Sequence, residues 1–175
     1  MESLAGSKCG KVTLISATST TGQNLAQVFK YNLGQMGCNN VNVKLFQGFQ
    51  IYIATGTKGE PYDAAIAVGW FADYADPYDF IDILLNGDNI HEANNNNLAY
   101  LNVPALNKQM AVANSLTGDK RYAAYAALDL KIQKNYAPLA VYENRNTREF
   151  VSSRTGGYLY QAAHGQANLN TFYIK

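Results

Sequence analysis

Lys11-Val12-Thr13-Leu14-Ile15-Ser16-Ala17, followed at once by Thr18-Ser19-Thr20-Thr21-Gly22, is the stretch on which the fold turns. The first run is apolar and β-branched and reads as a strand, while the second supplies side-chain oxygens to start a helix. From Gln23 to Met36 the apolar residues Leu25, Val28, Phe29, Leu33 and Met36 recur every three or four positions, which predicts an amphipathic helix stopped by Gly37. Val41, Val43 and Leu45 then alternate with Asn42 and Lys44, giving a second strand with one wetter face. Strand, helix and strand in this order form a βαβ unit, and the fold class is α/β.

Further along, Asp63-Ala64-Ala65-Ile66-Ala67-Val68-Gly69-Trp70 is short, apolar and free of breakers before Gly69, as expected of a third strand buried on both faces. Between them, Phe49, Tyr52 and Ile53 would suit a helical stripe that Thr55, Gly56 and Thr57 then break, so 46–58 stays ambiguous. Helices are predicted from Asp79 to Leu85, from Asn102-Val103-Pro104-Ala105 toward Leu116, and from Lys120 to Asn135. In the last, Asp119 is the expected cap, and Tyr122, Tyr125, Leu128 and Ile132 the buried stripe. Asn94-Asn95-Asn96-Asn97 reads as polar loop. Strands are expected again at Pro138 to Tyr142, at Phe150-Val151 and over Asn170 to Ile174, in a tail punctuated by Gly156-Gly157 and His164-Gly165.

The 175 residues suffice for one main globule with a real core. Fourteen Lys and Arg face 13 Asp and Glu for a net charge of +1, without a basic cluster, which argues against nucleic acid as a partner. No apolar run reaches the roughly 18 residues that span a bilayer, and Met1-Glu2-Ser3-Leu4 lacks the basic start of a signal peptide, so the chain as it stands reads as soluble. Cys9 precedes the first strand and Cys38 the second. If the two strands are parallel neighbours, both cysteines lie at one sheet edge, where a disulfide is geometrically allowed and would fit an oxidising compartment. Two unlinked thiols are the alternative.

The chemistry concentrates in Gly69-Trp70-Phe71-Ala72-Asp73-Tyr74-Ala75-Asp76-Pro77, which holds the only tryptophan and two carboxylates. Residues just past a strand of an open α/β sheet sit where such sheets bind ligands. An indole wall beside a carboxylate suits a small amphipathic cation. The Asp-Pro pair marks Asp76 as a turn residue instead. Asp73 and Asp76 also admit a hydrolase reading as acid and base, but no histidine or nucleophile motif supports it and no enzyme activity is expected. His91 and His164 have no metal-ligand spacing, and Gly56 to Gly59 and Gly156-Gly157 match no phosphate loop, so neither metal nor cofactor is expected.

Taken in order, several short motifs resemble the C-terminal lobe of family 5 extracellular solute-binding proteins, the oligopeptide-, dipeptide- and nickel-type receptors of ABC importers. They are Leu25 to Gly37, Tyr62-Asp63-Ala64-Ala65 before Gly69-Trp70, Ala72-Asp73-Tyr74-Ala75-Asp76-Pro77, Asn97-Leu98-Ala99-Tyr100-Leu101-Asn102, Arg121-Tyr122 through Leu128, and Ala137-Pro138-Leu139-Ala140-Val141-Tyr142. The resemblance implies one lobe of a periplasmic-binding-protein type II-like fold, with a mixed sheet flanked by helices. Residues 1–155 would form the lobe, and 156–175 a tail returning to an N-terminal lobe that this chain lacks. It implies a fragment of a secreted or lipid-anchored receptor, capturing peptides or similar solutes outside the cytoplasmic membrane and delivering them to permease subunits. Asp73 matches the aspartate that pairs with a peptide α-ammonium group. Trp70, and more loosely Phe71 and Tyr74, would line the ligand. A protein-interaction module without a transport role is the alternative.

Overall fold

The computed structural model describes residues 9–66, 68–142, 148–162 and 165–175; His164 lies outside them. Its contacts divide the chain into two units, Met1–Gly69 with Ile83–Asn107, and Trp70–Asp82 with Lys108–Lys175.

The first unit is built on the βαβ element. Strand β1 (Val12–Ala17) leads to helix α1 (Thr20–Gln35) and strand β2 (Val41–Phe46). β1 is central in a three-stranded sheet of order β2-β1-β3, and β2 runs parallel to it with Val12 opposite Val41 and Ala17 opposite Phe46. Ser19 caps α1, accepting from the Gly22 amide at 3.1 Å, and the Ser16 hydroxyl donates to the Gly22 carbonyl at 2.8 Å. Gly22 is needed there because a Cβ would lie 2.5 Å from the Ala17 carbonyl oxygen. At the other end Gly37 takes φ +89° and the Cys38 amide closes on the Leu33 carbonyl at 2.9 Å, ending the helix where the sequence places the stop.

Leu25, Phe29 and Leu33 pack against Leu14, Cys38, Val41 and Ile66. Val28, 53% exposed, lies on the flank of α1, and Met36 lies past its last turn, so the buried stripe is narrower than the periodicity suggests. Cys9 and Cys38 are joined, their Cα atoms 5.2 Å apart. The bond pins the approach to β1 to the turn after α1, beside this cluster.

The third strand is far shorter than expected. β3 is only Ala64–Ala65, parallel to β1, and the Ile66 amide makes the last bond, 2.7 Å to the Ile15 carbonyl. Ala64 is exposed and Ala65 half-buried, so the strand is an edge and is not covered on both faces. Alanine is a weak strand former with little side chain to pack. The ambiguous segment contains helix α2 (Gln50–Gly56). Thr55 lies within it, its Oγ1 donating to the Ile51 carbonyl at 2.7 Å, and the helix ends where the sequence marks the break, at Gly56 with Thr57 extended behind it.

A polar scaffold organises residues 86–107. The Asn95 amide nitrogen donates to the Gly56 and His91 carbonyls at 2.8 Å, and Asn97, fully buried, donates to the Leu101 carbonyl at 2.9 Å and accepts from the Leu101 amide at 3.1 Å. Asn107 Oδ1 accepts from the Gly87 amide at 3.1 Å, and its nitrogen donates to Asp88 at 2.9 Å. The asparagine tract is a loop, but half of it is interior, supplying the hydrogen bonds that irregular backbone needs.

Helices α3 (Tyr78–Leu85) and α4 (Pro104–Ser115) each contribute residues to both units, and helix α5 (Gly118–Asn135) lies in the second. Tyr125, Leu128 and Ile132 are buried, while Tyr122 is 53% exposed and leaves the expected stripe. Thr117, not Asp119, occupies the cap position, and Asp119 sits in the first turn, where its charge suits the helix dipole. Beyond α5 no strand forms at Pro138 to Tyr142: Ala137 takes φ +43° and Pro138 has no N–H to offer a ladder. Phe150-Val151 is likewise unpaired, with Phe150 97% exposed. The tail instead forms two small antiparallel ribbons, β4 (Thr155–Gly156) with β7 (Tyr173–Ile174) and β5 (Tyr160–Gln161) with β6 (Gln166–Ala167). Among the described residues no helix is long and apolar enough to cross a membrane.

Candidate ligand-binding site

Residues 70–77 are irregular and lead directly into α3. Two carboxylates fix this loop from below. Asp79, in the first turn of α3 and 1% exposed, accepts the Asp73 amide at 2.8 Å. Asp76 accepts the Tyr78 amide at 2.9 Å, the local turn bond expected of it. It does more than that, because its two oxygens also receive the Arg121 fork, Nε at 2.9 Å and a terminal nitrogen at 2.7 Å.

Arg121 is itself held on several sides. Its guanidinium donates to the Asn114 carbonyl at 2.7 Å and the Ala113 carbonyl at 3.3 Å, both in the last turn of α4, and stands 5.1 Å over the Tyr125 ring. The Tyr125 hydroxyl donates to Asp82 at 2.7 Å. A continuous array, Asp76, Arg121, Tyr125 and Asp82, thus ties the loop and the middle of α3 to α5. The hydrogen bond to the guanidinium holds the Asp76 carboxyl below the usual carboxylate range, and raises Arg121 in return.

What the loop presents is different in character. Phe71 is 81% exposed and Tyr74 47%. Asp73 is exposed, and among the described residues its carboxylate accepts no hydrogen bond and joins no ion pair. Burial first, and then the surrounding Asp79, Tyr78, Asp76 and Asp73, push the Tyr74 hydroxyl up, so it is a neutral hydroxyl at ordinary pH. Trp70 is half-buried, with its indole nitrogen enclosed and without a hydrogen-bond partner among the described residues. An open carboxylate beside exposed rings is chemistry for a cationic group carrying an apolar body.

All four residues singled out from the sequence, Trp70, Phe71, Asp73 and Tyr74, stand on this one loop. Both oxygens of Asp76 are engaged by Arg121. Among the described residues no group of three or more His, Cys, Asp or Glu side chains is disposed to hold a metal ion. A separate cleft of about 440 Å³, lined by Glu149, Gln161, Gln166 and Asn168 among others, includes no residue of the loop. Sequence reasoning missed Asp79, Asp82 and above all Arg121. The available signal was the spacing Arg121 to Tyr125, which puts cation and ring on one face of a helix.

No family model matches the chain. It is 31% identical over 152 residues to the periplasmic oligopeptide-binding protein OppA of Salmonella typhimurium, covering 86% of this chain and 24% of that protein. The chain spans about a quarter of the length of the curated relatives it matches. Among solved structures, the murein tripeptide binding protein MppA of Escherichia coli superposes with a TM-score of 0.69 at 27% identity, covering 94% of this chain and 30% of that one. Clavulanic acid biosynthesis oligopeptide binding protein 2 superposes with a TM-score of 0.82 at 16% identity, over 94% of this chain and 30% of its own. The fold is that of part of a periplasmic-binding-protein type II-like molecule, an α/β arrangement with parallel and antiparallel pairings in separate sheets.

Proposed function

We propose, from a chain similar to one lobe of the family 5 extracellular solute-binding proteins, that this protein is the peptide-gripping part of an ABC importer's receptor. The observation that carries the proposal is the open Asp73 carboxylate on a loop fixed at Asp76 and Asp79, with Trp70, Phe71 and Tyr74 on the same loop. Asp73 takes the α-ammonium group of a peptide, and the rings exclude water from the pair. A charge-assisted bond of that kind contributes about 1.5 to 3 kcal/mol once desolvated.

The receptor works outside the cytoplasmic membrane, in the compartment where the Cys9–Cys38 bond persists, and hands its solute to permease subunits. The parent supplies an N-terminal lobe, residues 1–155 form the C-terminal lobe, and 156–175 return to the other. Exposed Leu169, Tyr173 and Ile174 in the final segment support that assignment, since two-stranded ribbons are marginal alone. The role is binding, not turnover: of the two loop carboxylates that could pair as acid and base, Asp76 is committed to Arg121.

Calorimetric titration of the full-length parent with a tripeptide and with its N-acetylated form tests the reading. Binding of the free amine and not of the acetylated peptide is expected. Equal affinity for both, or for neither, overturns it.

A further inference from the structure

We infer that Arg121 is a positioning residue for the ligand loop, setting the place of Trp70 and Asp73 through Asp76 without touching ligand. The inference rests on the binding reading for its purpose, but the geometry is independent of which ligand is bound. Asp73 lies between two anchors: its own amide is held by Asp79, and Asp76, three residues on, is held by the Arg121 fork. The fork is unusually well fixed for a side chain of this length. Both partners are mostly covered, with 14% of the Arg121 side chain and 24% of the Asp76 side chain exposed. One terminal nitrogen is spent on the carbonyls that end α4, and the flat face rests on Tyr125. A lone surface ion pair contributes little, whereas a planar fork held on three sides fixes direction as well as distance.

The loop between the anchors has no helical or strand pairing, and a backbone bond within it runs from the Asp76 amide to the Tyr74 carbonyl at 3.0 Å. Its placement against α3 and α5 is therefore set by these side chains, and Asp73 is held ready before a ligand arrives. Lysine in place of Arg121 keeps the charge but offers one point donor where the fork offers several, so it separates positioning from simple attraction.

The chain carries one tryptophan, and it stands in the loop, so the experiment reads the loop directly. Acrylamide quenching of Trp70 emission is measured on the ligand-free protein for wild type, Arg121→Lys, Asp76→Asn and the exchange Asp76→Arg with Arg121→Asp, alongside far-UV circular dichroism. Arg121→Lys and Asp76→Asn should raise the quenching constant by about twofold or more with helical content kept, as the loop opens locally. The exchanged pair should return it toward wild type. Wild-type quenching in both single variants overturns the inference, as does a lowered melting temperature with quenching unchanged, which marks a purely structural ion pair. If Arg121→Lys loses its helical signal, the Asp76→Asn reading decides, since that change keeps the side-chain shape. Peptide titration of the full-length parent separates the two claims: its failure to bind removes the proposed function and leaves the quenching result standing.

Discussion

The Tyr125 hydroxyl donates to Asp82 Oδ2 at 2.7 Å, and both residues are buried, at 1% and 3% exposure. Tyr125→Phe removes the donor and leaves a buried carboxylate short of one bond, costing about 1 to 3 kcal/mol. Burial, then the bond to Asp82, raises the Tyr125 hydroxyl well above its ordinary value. The folded state thus favours the protonated form. The stabilisation is complete below the unfolded tyrosine value of about 10 and is lost as pH rises toward the raised one. Urea midpoints between pH 8 and 11 should fall more steeply for wild type than for Tyr125→Phe; parallel curves refute this account.

Asp73→Asn in the full-length parent should weaken binding of a free-amine peptide by about 10- to 100-fold. Its melting temperature should stay at the wild-type value, because the Asp73 side chain braces nothing among the described residues. Calorimetry and thermal unfolding measured side by side check both halves, and a variant that binds normally removes Asp73 from the site.

Reduction of the Cys9–Cys38 bond, which spans 29 positions, should lower stability by about 3 to 4 kcal/mol through the entropy returned to the unfolded chain. The comparison is a urea titration with and without dithiothreitol, repeated on Cys9→Ser with Cys38→Ser. Coincident midpoints would contradict the assigned role.

Asn97 is fully buried and serves the Leu101 backbone with both ends of its amide, while its neighbour Asn96 is exposed. Asn97→Ala should therefore cost about 2 to 3 kcal/mol, and Asn96→Ala less than about 0.5. Equal effects in chemical denaturation would show that the tract is only a solvated loop.

The βαβ unit was legible in the sequence because its signals are local: alternation in Val41, Val43 and Leu45, the three-and-four spacing around Phe29, and the Ser19 and Gly37 punctuation. The site was legible as a list of residues, since one tryptophan beside two carboxylates is conspicuous. Its bracing was not. Asp76 meets Arg121 across 45 positions of chain, and nothing in a single sequence reports a contact at that range. The third strand was overcalled for a related reason: an apolar run shows that residues can be buried, but only the neighbouring strand decides how many are paired. In the tail, Pro138 to Tyr142 has strand composition, and the left-handed Ala137 that redirects it carries no sequence mark.

The Gly87 amide held by Asn107 has a chemical consequence as well as a structural one. Asn86-Gly87 is the kind of pair that ages fastest, because an unhindered glycine nitrogen attacks the preceding asparagine side chain to form a succinimide. Here that nitrogen is engaged at 3.1 Å by Asn107 Oδ1, and the Asn86 side-chain oxygen is engaged at 2.9 Å by the Asp88 amide. The same amide network that shapes the loop thereby slows its deamidation.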